Sequence, residues 1–219
     1  MASHFGDERS PGGFDMGEVV SALQKAIRRG EEERALFWAT ELELSGYGSH
    51  CWNRLLVIAS EDVGVADPTA VLTVHSLRGA WLERKKKEDA DKRRTGRRTP
   101  ESRLYLLHAV MTLARAKKWR GVDHVYMWLY EGDRTLLGME IPDEALDGHT
   151  ARGRRMGRRA QFFLEESSKL ENEPSGLDDP YRERGHRNHL SSGGGRVKDY
   201  DPYKQWPPRA GQQSLEVSE

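Results

Sequence analysis

One cysteine, Cys51, stands in 219 residues. A lone thiol closes no intramolecular disulfide and builds no multi-cysteine zinc site, a usage that suits a reducing cytoplasm. No apolar run approaches the roughly 18 residues of a membrane helix, and the opening "MASHFGDERSPGG" has no apolar signal-peptide core. The expectation is a soluble cytoplasmic chain, free to associate with the nucleoid, with no membrane partner. An excess of either charge is also missing, because 35 Lys and Arg balance 35 Asp and Glu. Only local clusters can then argue for a charged partner. Nowhere is there a GxxxxGK[ST] loop, the backbone cradle, lysine and hydroxyl of Walker-type nucleotide hydrolysis. Alternating strands joined by hairpin turns are absent too, which leaves an all-α reading.

What is present has helical spacing over 16–171. Val19, Val20, Leu23, Ala26 and Ile27 share one helix face, and "RRG" closes that helix with cations and a left-handed glycine, Gly30. "EEERALFWATELELSG" reads as a second helix stopped at Gly46, a residue or so after the first, so the two form a hairpin. Ser49 is the expected cap of a third helix with the stripe Trp52, Leu55, Leu56 and Ala59. Asp67-Pro68 opens a fourth as N-cap and N1 proline, with Val71, Val74, Leu77 and Trp81 on one face. Thr99-Pro100 repeats that start before Leu104, Leu107, Met111 and Ala114. "VDHVYMWLY" fits a helix or a strand, and "IPDEALDGHTARGRRMGRRAQFFLEESSKL" reads as a last turn and helix. About six or seven helices result. Residues 1–15 read as a flexible arm, and 172–219, rich in Gly, Pro, Ser and charge, as a largely disordered tail with Tyr200, Tyr203 and Trp206 as anchors for a partner.

Three ordered blocks, "SALQKAIRRG" (21–30), "ALFWATELELSG" (35–46) and "LLVIASEDVGVADP" (55–68), resemble the helical C-terminal part of the replication-associated recombination protein A family. These are the MgsA/RarA-type AAA+ ATPases, relatives of clamp loaders. Their pattern is an SALQKSIRGS-like helix, an A-L-Y-W-L-A helix, then R-L-x-x-x-A-S-E-D-x-G-L-A-D-P. The residues carrying the likeness are Ser21, Leu23, Gln24, Lys25, Ser60, Glu61, Asp62, Gly64, Asp67 and Pro68. The likeness spans roughly 50 residues and thins afterwards, where "IPDEALDGHTARGRRMGR" is a variant of the family's V-P-x-H-L-R-D-A-x-T. It implies a clamp-loader-type collar domain, homo-tetrameric in the ATPases, in proteins that act at stalled or recombining forks. With no Walker loop, the expected chain is a non-enzymatic assembly or adaptor module, without cofactor, that pairs with itself, a separate AAA+ ATPase or another replication protein.

The candidate chemistry each has a plain structural counterpart. Glu61, Asp62 and Asp67 lack calcium-loop spacing. They read as a helix end, a Gly64 turn and a capped restart, with Glu61 and Asp62 bonded to backbone amides or to a neighbouring arginine such as Arg54 or Arg78. Cys51 beside His50 reads as a buried thiol, since adjacent helix residues diverge by about 100°. His186 and His189 lack a third metal ligand. Two basic segments are nucleic-acid candidates. The insert 83–103 holds ten Lys and Arg against five Asp and Glu, including Lys92, Arg93, Arg94, Arg97 and Arg98, and reads as an exposed helix extension or a mobile loop. "HTARGRRMGRR" carries Arg152, Arg154, Arg155, Arg158 and Arg159 after a Thr150 cap. Its alternative is a solvated face paired with Glu165 and Glu166, with Gly153 and Gly157 four apart for close helix packing. The runner-up function is an autonomous, sequence-nonspecific nucleic-acid binder.

Overall fold

A computed structural model describes residues 8–96, 100–132 and 138–192. Its elements are helical; among the described residues the only extended pairing is an isolated antiparallel bridge between Arg9 and Asp15. The chain divides into two compact units, Met1–Leu136 and Leu137–Glu219. The stretch 16–171, expected as one domain, is therefore split.

In the first unit, α1 (Met16–Arg29) is capped by Asp15, whose side chain accepts from the Glu18 amide, and ends on Gly30 at φ 71°. Helix α2 (Glu32–Leu44) follows at once, tied back by the Glu31 amide to the Ala26 carbonyl at 2.9 Å. Helix α3 (Gly48–Ile58) has no side-chain cap, so Ser49 is not the N-cap that its sequence position promised. It runs into a π turn, Ala59–Val63, and a 3-10 turn, Gly64–Ala66. Helix α4 (Pro68–Thr95) starts as expected, with Asp67 Oδ1 accepting from the Ala70 amide at 3.0 Å and Pro68 in the first turn. It continues unbroken through the basic insert to Gly96, which makes residues 83–95 a helix extension.

Helix α5 (Ser102–Arg115) begins two residues after Pro100, and Thr99 lies outside the described residues. Its cap comes from a different helix. Glu88 of α4 is buried and accepts from the Ser102 amide at 2.6 Å and the Ser102 hydroxyl at 2.8 Å. That contact supplies one of the amide partners a helix start lacks. Helix α6 (Gly121–Tyr126) and a π turn (Met127–Glu131) settle the ambiguous "VDHVYMWLY" as helical.

The core is the apolar stripes meeting. Val19, Leu23 and Ile27 of α1 join Ala35, Ala39 and Leu42 of α2, Trp52, Leu55 and Ile58 of α3, and Val74 and Trp81 of α4. In α5 the buried face is Leu106, Ala109, Val110, Leu113 and Ala114; of the expected stripe Ala114 is buried, Leu107 and Met111 are partly buried, and Leu104 is exposed. The sequence of α5 is apolar on two sides, and packing against α2 and α4 selects one. Trp38 is only half buried; it meets Phe14 edge-on at 5.2 Å. That contact corrects the flexible arm, because residues 8–15 fold onto α2. Ser10 Oγ donates to Glu41 at 2.5 Å, the Gly12 amide donates to the same carboxylate at 3.0 Å, and Tyr47 pairs with Glu8.

The second unit is short-range structure. The expected last helix is broken into α7 (Ala151–Arg155) and α8 (Ala160–Phe162), the latter extended by a π turn, Phe163–Ser167. Gly157, at φ 77°, turns the chain between them, so it is a stop and not half of a packing pair. Gly153 does carry a close approach: a Cβ there would sit 1.9 Å from the Asp147 carbonyl oxygen. Within the tail reading, residues 182–191 form an exposed helix, α9 (Arg182–Ser191). Tyr200, Tyr203 and Trp206 lie outside the described residues. No helix among the described residues is long and apolar enough to cross a membrane.

Candidate functional site

The first and third resembling blocks converge on one polar cluster. The π turn after α3 brings Glu61 and Asp62 against the last turn of α1. Arg28 reaches both, with Nε 2.6 Å from Asp62 Oδ1 and Nη2 2.8 Å from Glu61 Oε1. The Gln24 amide, one turn earlier on α1, donates to Glu61 Oε2 at 2.9 Å, and Arg54 of α3 bonds Gln24 and stands 3.8 Å from Glu61. Arg120 closes the ring at 3.4 Å from Glu61 and 3.5 Å from Asp62, and also binds Asp123. The Arg28 guanidinium is held above its ordinary pKa, first by its hydrogen bond to Asp62. Asp62 is wholly buried, a placement tolerable for a carboxylate only because it is paired and hydrogen-bonded.

Of the remaining family-motif residues, Leu23 is core, Ser21 accepts from Lys25 Nζ at 2.5 Å, and Ser60 is exposed beside Glu61. Gly64 sits at φ 51° and ψ −129°, which only glycine adopts readily, and Val122 lies against it. Asp67 and Pro68 restart the helix. Arg54 is a partner as foreseen. Arg78 is not, since it donates to Asn53 at 2.9 Å. Arg28 and Arg120 were missed; Gln24 and Arg28, polar residues spaced i, i+4 beside an apolar stripe, were the available signal.

This cluster seats α6. The Trp119 amide donates to the Asp62 carbonyl at 2.8 Å, and Lys118 Nζ donates to the carbonyls of Leu113, Ala114 and Ala116 at the end of α5. Burial pushes the Lys118 pKa down, against the pull of Asp62 and Asp67. So anchored, α6 and its π turn present Val125, Tyr126, Trp128 and Tyr130 to solvent, with the Tyr126 and Tyr130 rings stacked at 5.2 Å. Beside them a groove of about 480 Å³ runs between Leu56 and Val57 of α3 and Val122 and Tyr126 of α6.

The basic candidates fall in different units. On α4, Arg94 pairs with Asp91 and Lys85 with Asp89, while Lys92 and Arg93 are exposed. Arg97 and Arg98 lie outside the described residues. In the second unit, Thr150 caps α7 as expected, its hydroxyl accepting from the Gly153 amide at 2.9 Å. Arg158 turns inward to the Asp143 carboxylate at 2.6 Å and the carbonyls of Asp143 and Leu146, with its guanidinium 4.0 Å above the Phe162 ring. Arg154 donates to the carbonyls of Gly148 and His149. Arg152, Arg155 and Arg159 are exposed, and Glu165 and Glu166 engage Gln161 and Lys169 instead of them. Cys51 is buried and its thiol is pushed up to about 12, chiefly by desolvation. On α9 His186 is exposed and His189 is partly buried against the Phe163 ring at 5.5 Å, and no group of three or more metal-ligating side chains occurs among the described residues.

The arrangement defines a helical module in which distant sequence segments are locked together by partly buried ion pairs and hold a short helix with exposed aromatics outward. No family model matches the chain. Over 55 residues it is 46% identical to replication-associated recombination protein A of Haemophilus influenzae, a stretch covering 25% of this chain and 12% of that relative. The chain is thus similar to that protein over a short stretch, and spans about an eighth of its length.

Proposed function

We propose that this chain is a non-enzymatic assembly module serving DNA replication, recombination or repair, which self-associates through α6, as a tetramer by the resemblance. The observation that carries this reading is the face of α6 itself. Val125 and Tyr126 on α6 and Trp128 and Tyr130 on its π turn are exposed, the last two at 57% and 70%, on a segment held at its start by the Arg120 contact to Glu61. An exposed apolar patch of this kind marks a contact surface. Aromatic side chains are the usual anchors of such surfaces. The name of the similar protein supports the process, and the engagement of Glu61 and Asp62 by arginines supports a structural role for the carboxylates. A separate AAA+ ATPase is the second partner proposed.

Size-exclusion chromatography with light scattering tests the proposal. The wild-type chain is expected at a multiple of 25.0 kDa. The double variant Val125→Glu, Trp128→Ser is expected as a monomer with unchanged circular dichroism. A wild-type monomer at high concentration overturns self-assembly. Co-elution of a purified AAA+ ATPase with wild type, lost in the double variant, supports the adaptor role.

A further inference from the structure

The second unit contains thirteen Lys and Arg against fifteen Asp and Glu, yet five of those arginines fall within residues 152–159. The fold then sorts the five. Arg158 and Arg154 are spent on the unit's own carbonyls and on Asp143. Asp143, Asp147, Glu165 and Glu166 are engaged by Arg158, His149, Gln161 and Lys169 respectively. Among the described residues no acid pairs with Arg152, Arg155 or Arg159. The frame under them is fixed by the Thr150 cap, the backbone contact at Gly153 and the two anchored arginines.

We propose that Arg152, Arg155 and Arg159 form a sequence-independent site for the phosphodiester backbone of nucleic acid. Each guanidinium offers five N–H donors in a planar fork that fits phosphate oxygens, and among the described residues none of the three has an acid partner. Arg152 and Arg155 are i, i+3 neighbours on α7, so they engage successive charges of one polyanion. The end of α4 is the rival site: Arg84, Lys85 and Arg94 are neutralised by Glu88, Glu101, Asp89 and Asp91, whereas Lys86, Lys87, Lys92 and Arg93 are exposed. It ranks second because its exposed cations are mostly lysines, which lack the planar fork. Among the described residues no aromatic stacks between the three arginines, so the contact reads charge and not bases. The choice of nucleic acid among polyanions rests on the proposed role in replication or recombination.

The test is fluorescence anisotropy of a labelled random-sequence DNA duplex titrated with the full chain over a salt series. Wild type should bind, and weaken as salt rises. The triple variant Arg152→Ala, Arg155→Ala, Arg159→Ala should lose on the order of tenfold in affinity and flatten the log–log salt slope by about 2 to 3. Its circular dichroism and light-scattering mass should not change. The triple Arg→Lys variant should keep most of the slope, because the charge remains. Unchanged binding in the alanine variant, or loss only in Lys92→Ala, Arg93→Ala, overturns the site. Poly-glutamate competing as well as DNA at equal charge overturns nucleic acid as the ligand. The scattering mass separates the two proposals: a monomer that binds DNA through these arginines keeps the site and sinks assembly, and an oligomer indifferent to DNA does the reverse.

Discussion

Arg28 Nε lies 2.6 Å from Asp62 Oδ1, joining the last turn of α1 to the π turn after α3 across 34 positions of sequence. The aspartate is wholly buried, whereas the arginine keeps partial contact with water. The pair is therefore asymmetric, and its loss is felt on the carboxylate side.

Arg28→Ala should destabilise the first unit by about 2 to 3 kcal/mol, somewhat under the roughly 3–5 kcal/mol of fully orphaning a buried charge, because Arg120 still stands 3.5 Å from Asp62. Arg28→Lys should recover little, since one ammonium cannot bridge Glu61 and Asp62 in the same geometry. Urea unfolding of both variants measures this. A loss under about 0.5 kcal/mol, the usual scale of a surface change, would show that the pair is not structural.

Much of this was legible in the chain, and the reasons it stopped being legible are physical. Local grammar placed α1, the Asp67-Pro68 restart, the Gly30 stop and the Thr150 cap, because each depends on residues within one turn. The ion-pair cluster was half visible. Glu61 and Asp62 stood out, but Arg28 and Arg120 lie 33 and 59 positions away from Glu61, and only packing brings them in. Glu88 capping Ser102 is the same case, a side chain of one helix finishing the start of another. The α5 stripe was misread because leucines on two faces give periodicity no basis for choosing. "HTARGRRMGRR" was read as one helix because Gly157 resembled a packing glycine until its φ of 77° made it a turn.

Gly64→Ala tests the turn that seats α6. At φ 51° and ψ −129° an alanine is strained whatever the space, and its Cβ would also press on Val122 Cγ2 at 3.1 Å. The expected cost is about 2 kcal/mol or more. Because Val122 opens α6, the variant should also weaken any self-association measured by light scattering. Wild-type stability in this variant would mean that the turn adopts another backbone.

Cys51 should be silent to thiol reagents in the native state. The thiol is buried in the core and its pKa is pushed up to about 12, so at neutral pH almost no thiolate exists and none is reachable. A disulfide reagent such as Ellman's should react with one equivalent only after denaturant is added, at the rate of unfolding. Prompt stoichiometric reaction without denaturant would place Cys51 at the surface and remove the basis for an inert core thiol.

The second unit should show an acid transition centred on Asp147. Its carboxylate is held below the ordinary value of 3.8, first by the hydrogen bond from the His149 ring at 2.8 Å and then, against desolvation, by the His149 amide. A folded pKa below the unfolded one means that the stabilisation is complete above about pH 3.8 and fades as pH falls through the folded value. The same turn carries Thr150, whose hydroxyl caps α7, so protonating Asp147 should loosen that cap. Hydrogen exchange at the Gly153 amide, corrected for intrinsic rate, should lose protection below pH 3.8 in wild type. Asp147→Asn keeps an acceptor oxygen but has nothing to titrate, so its protection should be lower throughout and flat across that window. If the variant shows the same acid loss as wild type, the transition belongs to another carboxylate, and Asp147 does not set the stability of the α7 turn.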